Sequence, residues 1–139
     1  MGKPAIYTYE TDELGRTIRV KGKLEKSEIK DQKIRDKKHR SAKQSSYGGD
    51  DPNYDGGHLV GTLFQGPAEK INLVPQLKDQ NRYGGWRKME RKWAEHLEEG
   101  KVVEVEILIE YSDDGITPES LFGNYVIGNG NPIPFEFDN

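Results

Sequence analysis

The strongest periodic signal lies between residues 103 and 111, where apolar and acidic residues alternate. The apolar positions are Val103, Val105, Ile107, Ile109 and Tyr111, and the acidic positions are Glu104, Glu106 and Glu110. Successive side chains of a strand point to opposite faces. The alternation therefore predicts a strand with one buried face and one acidic, solvated face.

A second pattern, with helical spacing, covers residues 85–99. Its apolar residues fall at i, i+3, i+7 and i+11, and they are Trp86, Met89, Trp93 and Leu97. This spacing gives one apolar stripe and predicts an amphipathic helix whose stripe joins the core. Gly100 predicts the end of that helix.

Weaker patterns predict strands towards both ends of the chain. Residues 6–9 and 17–20 flank a short loop that contains Gly15, which is typical of a β-hairpin. Residues 125–127 predict a further strand, closed by a glycine-rich turn. The highly charged residues 26–43 fit either a solvated helix or a partly ordered basic arm, and the pattern does not choose between them.

These elements predict an α+β fold with a small antiparallel sheet and one long amphipathic helix. The 139 residues are the length of one ordinary domain. We therefore predict a single domain over residues 1–139. Residues 1–46 hold the hairpin and the basic stretch, and residues 112–139 hold the C-terminal strands.

Composition narrows the possible chemistry. The chain contains no cysteine, which excludes disulfides, thiolate metal sites and cysteine nucleophiles. It has no apolar run near the roughly 20 residues that a membrane-spanning helix needs, so no membrane partner is predicted. The first residues lack the apolar segment of a secretion signal.

The formal net charge of −3 conceals a strong asymmetry along the chain. Residues 19–43 contain eleven Lys or Arg and four acids, whereas residues 95–139 contain eleven acids and one Lys. The basic part could meet a polyphosphate, and the acidic part could meet a basic partner. Solvated faces that alternate along the chain explain the same charges equally well.

Without cysteine, the candidate catalytic groups are histidines, carboxylates and amides. His39 lies in the basic stretch and His96 on the charged side of the predicted helix, so both are expected at the surface. His58 follows Asp55-Gly56-Gly57, and two glycines permit a tight turn and close approach of a ligand. Leu59 and Val60 predict the start of a buried strand after it. In isolation, such a run is more often a turn histidine than an active site.

Further motifs follow in order: Asn72-Leu73-Val74-Pro75-Gln76, then Asn81-Arg82-Tyr83-Gly84-Gly85-Trp86, then Met89-Glu90. With the histidine run, they resemble the DNA/RNA non-specific endonucleases of the His-Me (ββα-metal) superfamily. The resemblance is nearest to nuclease domains at the C-termini of bacterial polymorphic toxins. It covers roughly residues 47–111 and implies that this segment is a catalytic ββα-metal core.

The resemblance also implies roles for individual residues. His58 would be the general base, and Asp55, at the start of the same motif, would be a further catalytic residue. Asn81 would be the direct side-chain ligand of the metal. Glu90 would hold a metal-bound water or position the site. Asn72 is expected to brace the loop rather than bind metal.

Two positions depart from the pattern of the secreted nucleases. Those enzymes have an Arg where Gly56 stands, and that Arg helps to neutralise the phosphate. Another cation must then serve here; Arg40 is the predicted catalytic cation, with Arg82 and Arg87 as the other candidates. The gap between Asn81 and Trp86 is also one residue longer than in those enzymes.

The chemistry of phosphodiester hydrolysis suits these residues. A neutral histidine with a pKa near ~6.5 can accept a proton from water at physiological pH. The implied cofactor is Mg²⁺ or Mn²⁺, because a hard cation prefers oxygen ligands and keeps several waters. The implied partners are DNA and/or RNA and a cognate immunity protein. The expected setting is a secreted or delivered effector that acts in the cytoplasm of a target cell.

Two alternatives belong to other classes. A catalytically silent nucleic-acid-binding module would use the basic stretch and would not depend on His58. A partner-binding domain would use the acidic C-terminal strands as its interface. A zinc-assisted HNH-type site is disfavoured, because the sequence has no cluster of ligand-type His or Cys.

Overall fold

The computed structural model describes residues 6–27, 52–79 and 84–139. A five-stranded antiparallel sheet is built from β1 (Tyr7–Thr11), β2 (Thr17–Lys23), β5 (Val103–Glu110), β6 (Ser120–Ile127) and β7 (Ile133–Asp138), in the order β1-β2-β5-β6-β7. A separate two-stranded sheet pairs β3 (Tyr54–His58) with β4 (Leu73–Leu77), and helix α1 (Gly85–Glu98) follows it. The predicted α+β class with antiparallel pairing is confirmed.

Strand β5 is the centre of the large sheet and has the predicted two faces. Val103, Val105, Ile107 and Ile109 are buried, whereas Glu104 and Glu110 are exposed. Strands β2 and β6 pair with it on either side, and Ile107 lies opposite both Val20 and Gly123. The buried face of β5 is thus the floor of the hydrophobic core.

Helix α1 covers the buried face of the sheet with the predicted apolar stripe. Trp86 and Trp93 are each 1% exposed. The ring centroid of Trp93 lies 5.5 Å from that of Tyr125, and Trp86 lies 5.7 Å from Phe137, both in edge-on geometry. Burying such large rings contributes on the order of a few kcal/mol each, so these contacts fix where the helix sits.

The C-terminal strands are longer than the sequence pattern predicts. The strand predicted at residues 125–127 begins at Ser120, and β7 follows it as an edge strand. Gly123 and Asn124 interrupt the alternation in β6, which hides its first half from a periodicity test. Pro134 lies in β7, where an edge position tolerates the missing N–H group.

Two expectations about the histidine run are wrong. The glycines before His58 lie within β3 rather than in a tight turn, and Leu59 and Val60 are buried but follow the strand instead of starting one. The reason is the partner strand. The ladder runs from Tyr54 opposite Leu77 to His58 opposite Leu73, where β4 begins, so β3 ends at the histidine.

Other expectations fall beyond the described residues. Whether residues 26–43 form a helix or an arm concerns residues 28–43, which lie outside them, and His39 lies there too. In the part of the chain that is described, no helix has the length and apolar character needed to cross a membrane.

Candidate active site

His58 is held at the end of a short strand. It is the last residue of β3, opposite Leu73, and it is 7% exposed. Immediately after it, the backbone N–H of Leu59 donates to the carbonyl of Asn72 at 2.8 Å. The imidazole therefore sits on a backbone that is hydrogen-bonded on both sides of the residue, which restricts its position.

Asn72 braces the segment that follows His58. Its Oδ1 accepts from the N–H of Val60 at 3.0 Å and from the hydroxyl of Tyr9 at 2.9 Å. Its Nδ2 donates to the carbonyls of Val60 at 2.9 Å and Pro67 at 3.0 Å. Asn72 is fully buried, so this satisfied network is rigid and is costly to break. The contacts agree with the bracing role predicted for it.

Gly57 is required by a neighbouring side chain rather than by a turn. A Cβ at this position would collide with the side chain of Gln76 on β4. Gln76 is 1% exposed, and its Oε1 has no hydrogen-bond partner among the described residues. The absence of a side chain at Gly57 thus lets the two strands of the small sheet pair closely next to His58.

Glu90, on helix α1, extends to the loop that follows His58. Its side chain is buried, and its Oε2 lies so close to Gly61 that a Cβ there would collide with it. Burial raises the pKa of Glu90 to about 7, and Arg87 opposes that shift. The Nη1 of Arg87 lies 3.8 Å from the Oε1 of Glu90.

His58 and Glu90 are therefore brought into one region. Gly61, which contacts Glu90, is three residues after His58, and three residues of extended chain span at most about 11 Å. Strand β3 leads into the loop that Asn72 braces, and the first half of α1 contacts that loop. The buried imidazole of His58 and the buried carboxylate of Glu90 thus lie on either side of the short loop of residues 59–61.

Asp55 lies on the other face of β3. It is opposite Gln76 in the register, three residues before His58, and side chains alternate along a strand. Its side chain therefore points to the Gln76 face, whereas that of His58 points to the Leu73 face. The strand brings Asp55 near His58 in sequence without placing the two on one face.

The other predicted residues fall beyond the described parts of the chain. Asn81, the predicted metal ligand, lies between residues 79 and 84, and Arg40 and Arg82 also lie outside. Of the three candidate cations, Arg87 is the one whose position is described.

A family comparison decides the class of the molecule. The model of the DNA/RNA non-specific endonuclease family matches residues 2–129. The chain belongs to that family. Membership places it among the endonucleases, and the match extends well beyond residues 47–111, where the sequence motifs lie.

Curated relatives resemble this endonuclease in sequence. The type VII secretion system protein EssD of Staphylococcus aureus is 34% identical over a match of 119 residues that covers 81% of this chain and 19% of EssD. The chain thus spans about a fifth of the length of the curated relatives it matches.

Solved structures share the architecture. NucA from Streptococcus agalactiae with magnesium bound superposes with a TM-score of 0.78 at 17% identity, over 99% of this chain and 73% of NucA. The Sda1 nuclease with bound zinc gives a TM-score of 0.69 at 15% identity, over 96% of this chain and 74% of Sda1. At these identities, the likeness establishes the fold.

The described residues of this endonuclease suit a hard divalent cation held largely through water. Glu90 is a buried carboxylate whose pKa is raised by burial, and a divalent cation beside it would favour its ionised form. Within residues 6–27, 52–79 and 84–139, no three His, Asp or Glu are grouped to hold a metal. Mg²⁺ needs few protein ligands because it retains several waters.

Sequence reasoning missed three residues that support the site. Tyr9 reaches Asn72 from β1, Gln76 fills the space at Gly57, and Asn139 contacts β4. The histidine-run motifs lie in residues 55–90, so nothing in them indicates residues 9 or 139. Gln76 was within a recognised motif, but only the register of β3 and β4 reveals its contact.

Proposed function

We propose that this domain is a divalent-metal-dependent endonuclease of the His-Me type that hydrolyses DNA and/or RNA without sequence specificity. The observation that carries the proposal is His58, held at the end of β3 beside the Asn72 brace and within one short loop of buried Glu90. Family membership supplies the reaction class, and this arrangement supplies groups able to perform it.

His58 acts as the general base in this proposal. A neutral imidazole takes a proton from the attacking water as the water's oxygen bonds to phosphorus and the 3′ oxygen leaves. Its backbone is fixed on both sides, so the ring needs little reorganisation, and such proton transfer is worth roughly 10²–10⁴ in rate. Asp55 begins the motif, and its place on the opposite face of β3 favours a structural contribution from it.

Glu90 and Asn81 would hold the cation, with Mg²⁺ or Mn²⁺ as the proposed ion. Bound there, a divalent cation supplies charge stabilisation at the phosphate and help for the leaving oxygen. The buried carboxylate of Glu90 would contact the ion directly or through water. In either case it also orients the residues next to Gly61.

Arg87 is proposed as the cation that replaces the missing arginine at Gly56. It is partly exposed, with 31% of its side chain accessible, and it lies 3.8 Å from Glu90. A guanidinium in that place can reach a phosphate oxygen outside the loop. Arg40 remains a second proposal for the same role.

The direct test uses His58→Ala with His96→Ala as a matched control. His96 lies in the last turn of α1, 3.6 Å from Glu99, and has no proposed role in the site. Plasmid and RNA are incubated with each protein in Mg²⁺, Mn²⁺ or EDTA. We expect cleavage by wild type and His96→Ala, loss of about 10²–10⁴ in rate for His58→Ala, and none in EDTA. Binding without cleavage in every ion would instead establish the silent nucleic-acid-binding module.

We further propose that the domain is the toxic effector part of a longer secreted protein and acts in the cytoplasm of a target cell. The match to one part of a type VII secretion system protein supports this setting. A cell that makes an unspecific nuclease must neutralise it, so a cognate immunity protein is proposed as its partner.

Toxicity is tested by inducing the domain inside bacteria. We expect growth arrest and DNA loss with wild type and normal growth with His58→Ala at equal protein levels. Equal growth with both proteins would contradict the effector role without bearing on cleavage in vitro.

A further inference from the structure

Asn139 joins the two sheets of the molecule. It directly follows β7, whose last residue Asp138 pairs with Ser120, and its backbone N–H donates to the carbonyl of Glu119 at 2.9 Å. Its side chain turns towards β4 and away from the sheet that places it. The backbone of Asn139 thus continues from the large sheet, and its side chain contacts the small one.

The Asn139 amide pairs with the outer edge of β4 as a third strand would. Its Oδ1 accepts from the N–H of Leu77 at 3.0 Å, and its Nδ2 donates to the carbonyl of Pro75 at 2.9 Å. Groups two residues apart on one edge are those that a neighbouring strand normally satisfies. The second Nδ2 donor goes to the carbonyl of Pro118 at 2.8 Å, so both amide donors are used.

A further hydrogen bond reaches the strand that carries the histidine. The hydroxyl of Tyr54, the first residue of β3, donates to the backbone carbonyl oxygen of Asn139 at 3.0 Å. A two-stranded sheet is marginally stable without support from another layer. Asn139 gives β3 and β4 part of that support, at the end of the pair opposite His58.

We propose that Asn139 is a positioning residue for catalysis, which fixes the β3–β4 pair and thereby the imidazole of His58. The inference rests on the proposed nuclease function. A displacement of about 1 Å in a catalytic group can cost on the order of 10²-fold in rate. Loosening β4 would therefore lower kcat, whereas KM would change little, because Asn139 lies at the end of the β3–β4 pair opposite His58.

The test compares Asn139→Ala and Asn139→Asp with Asn129→Ala. Asn129 is an exposed amide in the turn before β7 and serves as the control. Asp keeps an acceptor for Leu77 and loses both donors. We expect kcat about tenfold lower or more for both Asn139 variants, with KM within about twofold, and wild-type values for the control.

Amide hydrogen exchange separates positioning from general destabilisation. In both Asn139 variants, exchange should rise in peptides covering β3 and β4 and stay unchanged in those covering β5. An equal loss of protection in β5 would overturn the proposal. It would also be overturned if the Asn139 variants showed the kcat and the exchange of the wild type. A wild-type protein that cleaves nothing would refute the proposed nuclease function, while the exchange result would still report on the anchoring of β3 and β4.

Discussion

The buried carboxylate of Glu90 and the partly exposed guanidinium of Arg87 form a charge pair one helical turn apart. At 3.8 Å between Nη1 and Oε1, the pair is too long for a hydrogen bond. Arg87 therefore offsets the burial of Glu90 only in part, as the raised pKa of about 7 shows. Its side chain is 31% exposed, so its other donors can reach an anionic ligand.

Replacing Arg87 should weaken catalysis more than folding. We expect Arg87→Ala to lower kcat/KM for DNA by roughly 10- to 100-fold, because the charge-assisted contact to the phosphate proposed for Arg87 would be lost. Arg91→Ala, an exposed arginine on the same helix, is the control for general loss of positive charge. Cleavage rates measured at several salt concentrations check this. Equal effects of the two substitutions would show that Arg87 acts only through bulk charge.

Among the elements, the β1–β2 hairpin supports the site from outside it. The hydroxyl of Tyr7 donates to the carbonyl of Phe64 at 2.8 Å, and that of Thr17 to the carbonyl of Ile71 at 2.7 Å. Both acceptors lie in the segment between β3 and β4. With the bond from Tyr9 to Asn72, these contacts hold the segment between β3 and β4 against the large sheet.

The turn of this hairpin is organised by Asp12. Its carboxylate accepts from the N–H groups of Leu14 and Arg16 at 3.0 and 2.9 Å, and from Arg16 Nε at 2.9 Å. Desolvation alone would raise the pKa of Asp12, but hydrogen bonds from Arg16 and Leu14 lower it below 3.8. The ionised form therefore stabilises the fold above pH 3.8, and this contribution is lost as the pH falls through the lowered pKa.

Asp12→Asn should consequently lower Tm at pH 7, and the difference from wild type should shrink as the pH falls below about 4. Asp114→Asn, in the exposed turn after β5, is the control and should follow wild type throughout. Thermal unfolding followed by circular dichroism from pH 7 to pH 3 measures both. A Tm difference that stays constant over this range would contradict the role of the Asp12 charge.

For the whole molecule, the sequence predicts best those elements that show as a periodic pattern within one segment. The alternation in β5 and the stripe of α1 lie in single segments, and both are confirmed. The start of β3 and the role of Gly57 depend on β4, a partner about twenty residues away, so no local pattern indicates them. The predicted roles of His58 and Glu90 came from ordered motifs, whereas Tyr9 and Asn139 act through long-range contacts.

The strand order has a consequence for how activity develops as the chain folds. Strand β2 pairs with β5, and the whole segment that carries β3, β4 and α1 lies between them. Closing this long loop is slow compared with forming local turns. The segment between β3 and β4 is bonded to the β1–β2 hairpin, and β3 and β4 themselves are bonded to Asn139, so the site is complete only after the large sheet has closed. A chain that is still unfolded would then lack an assembled site, and regain of nuclease activity would mark the last step of folding.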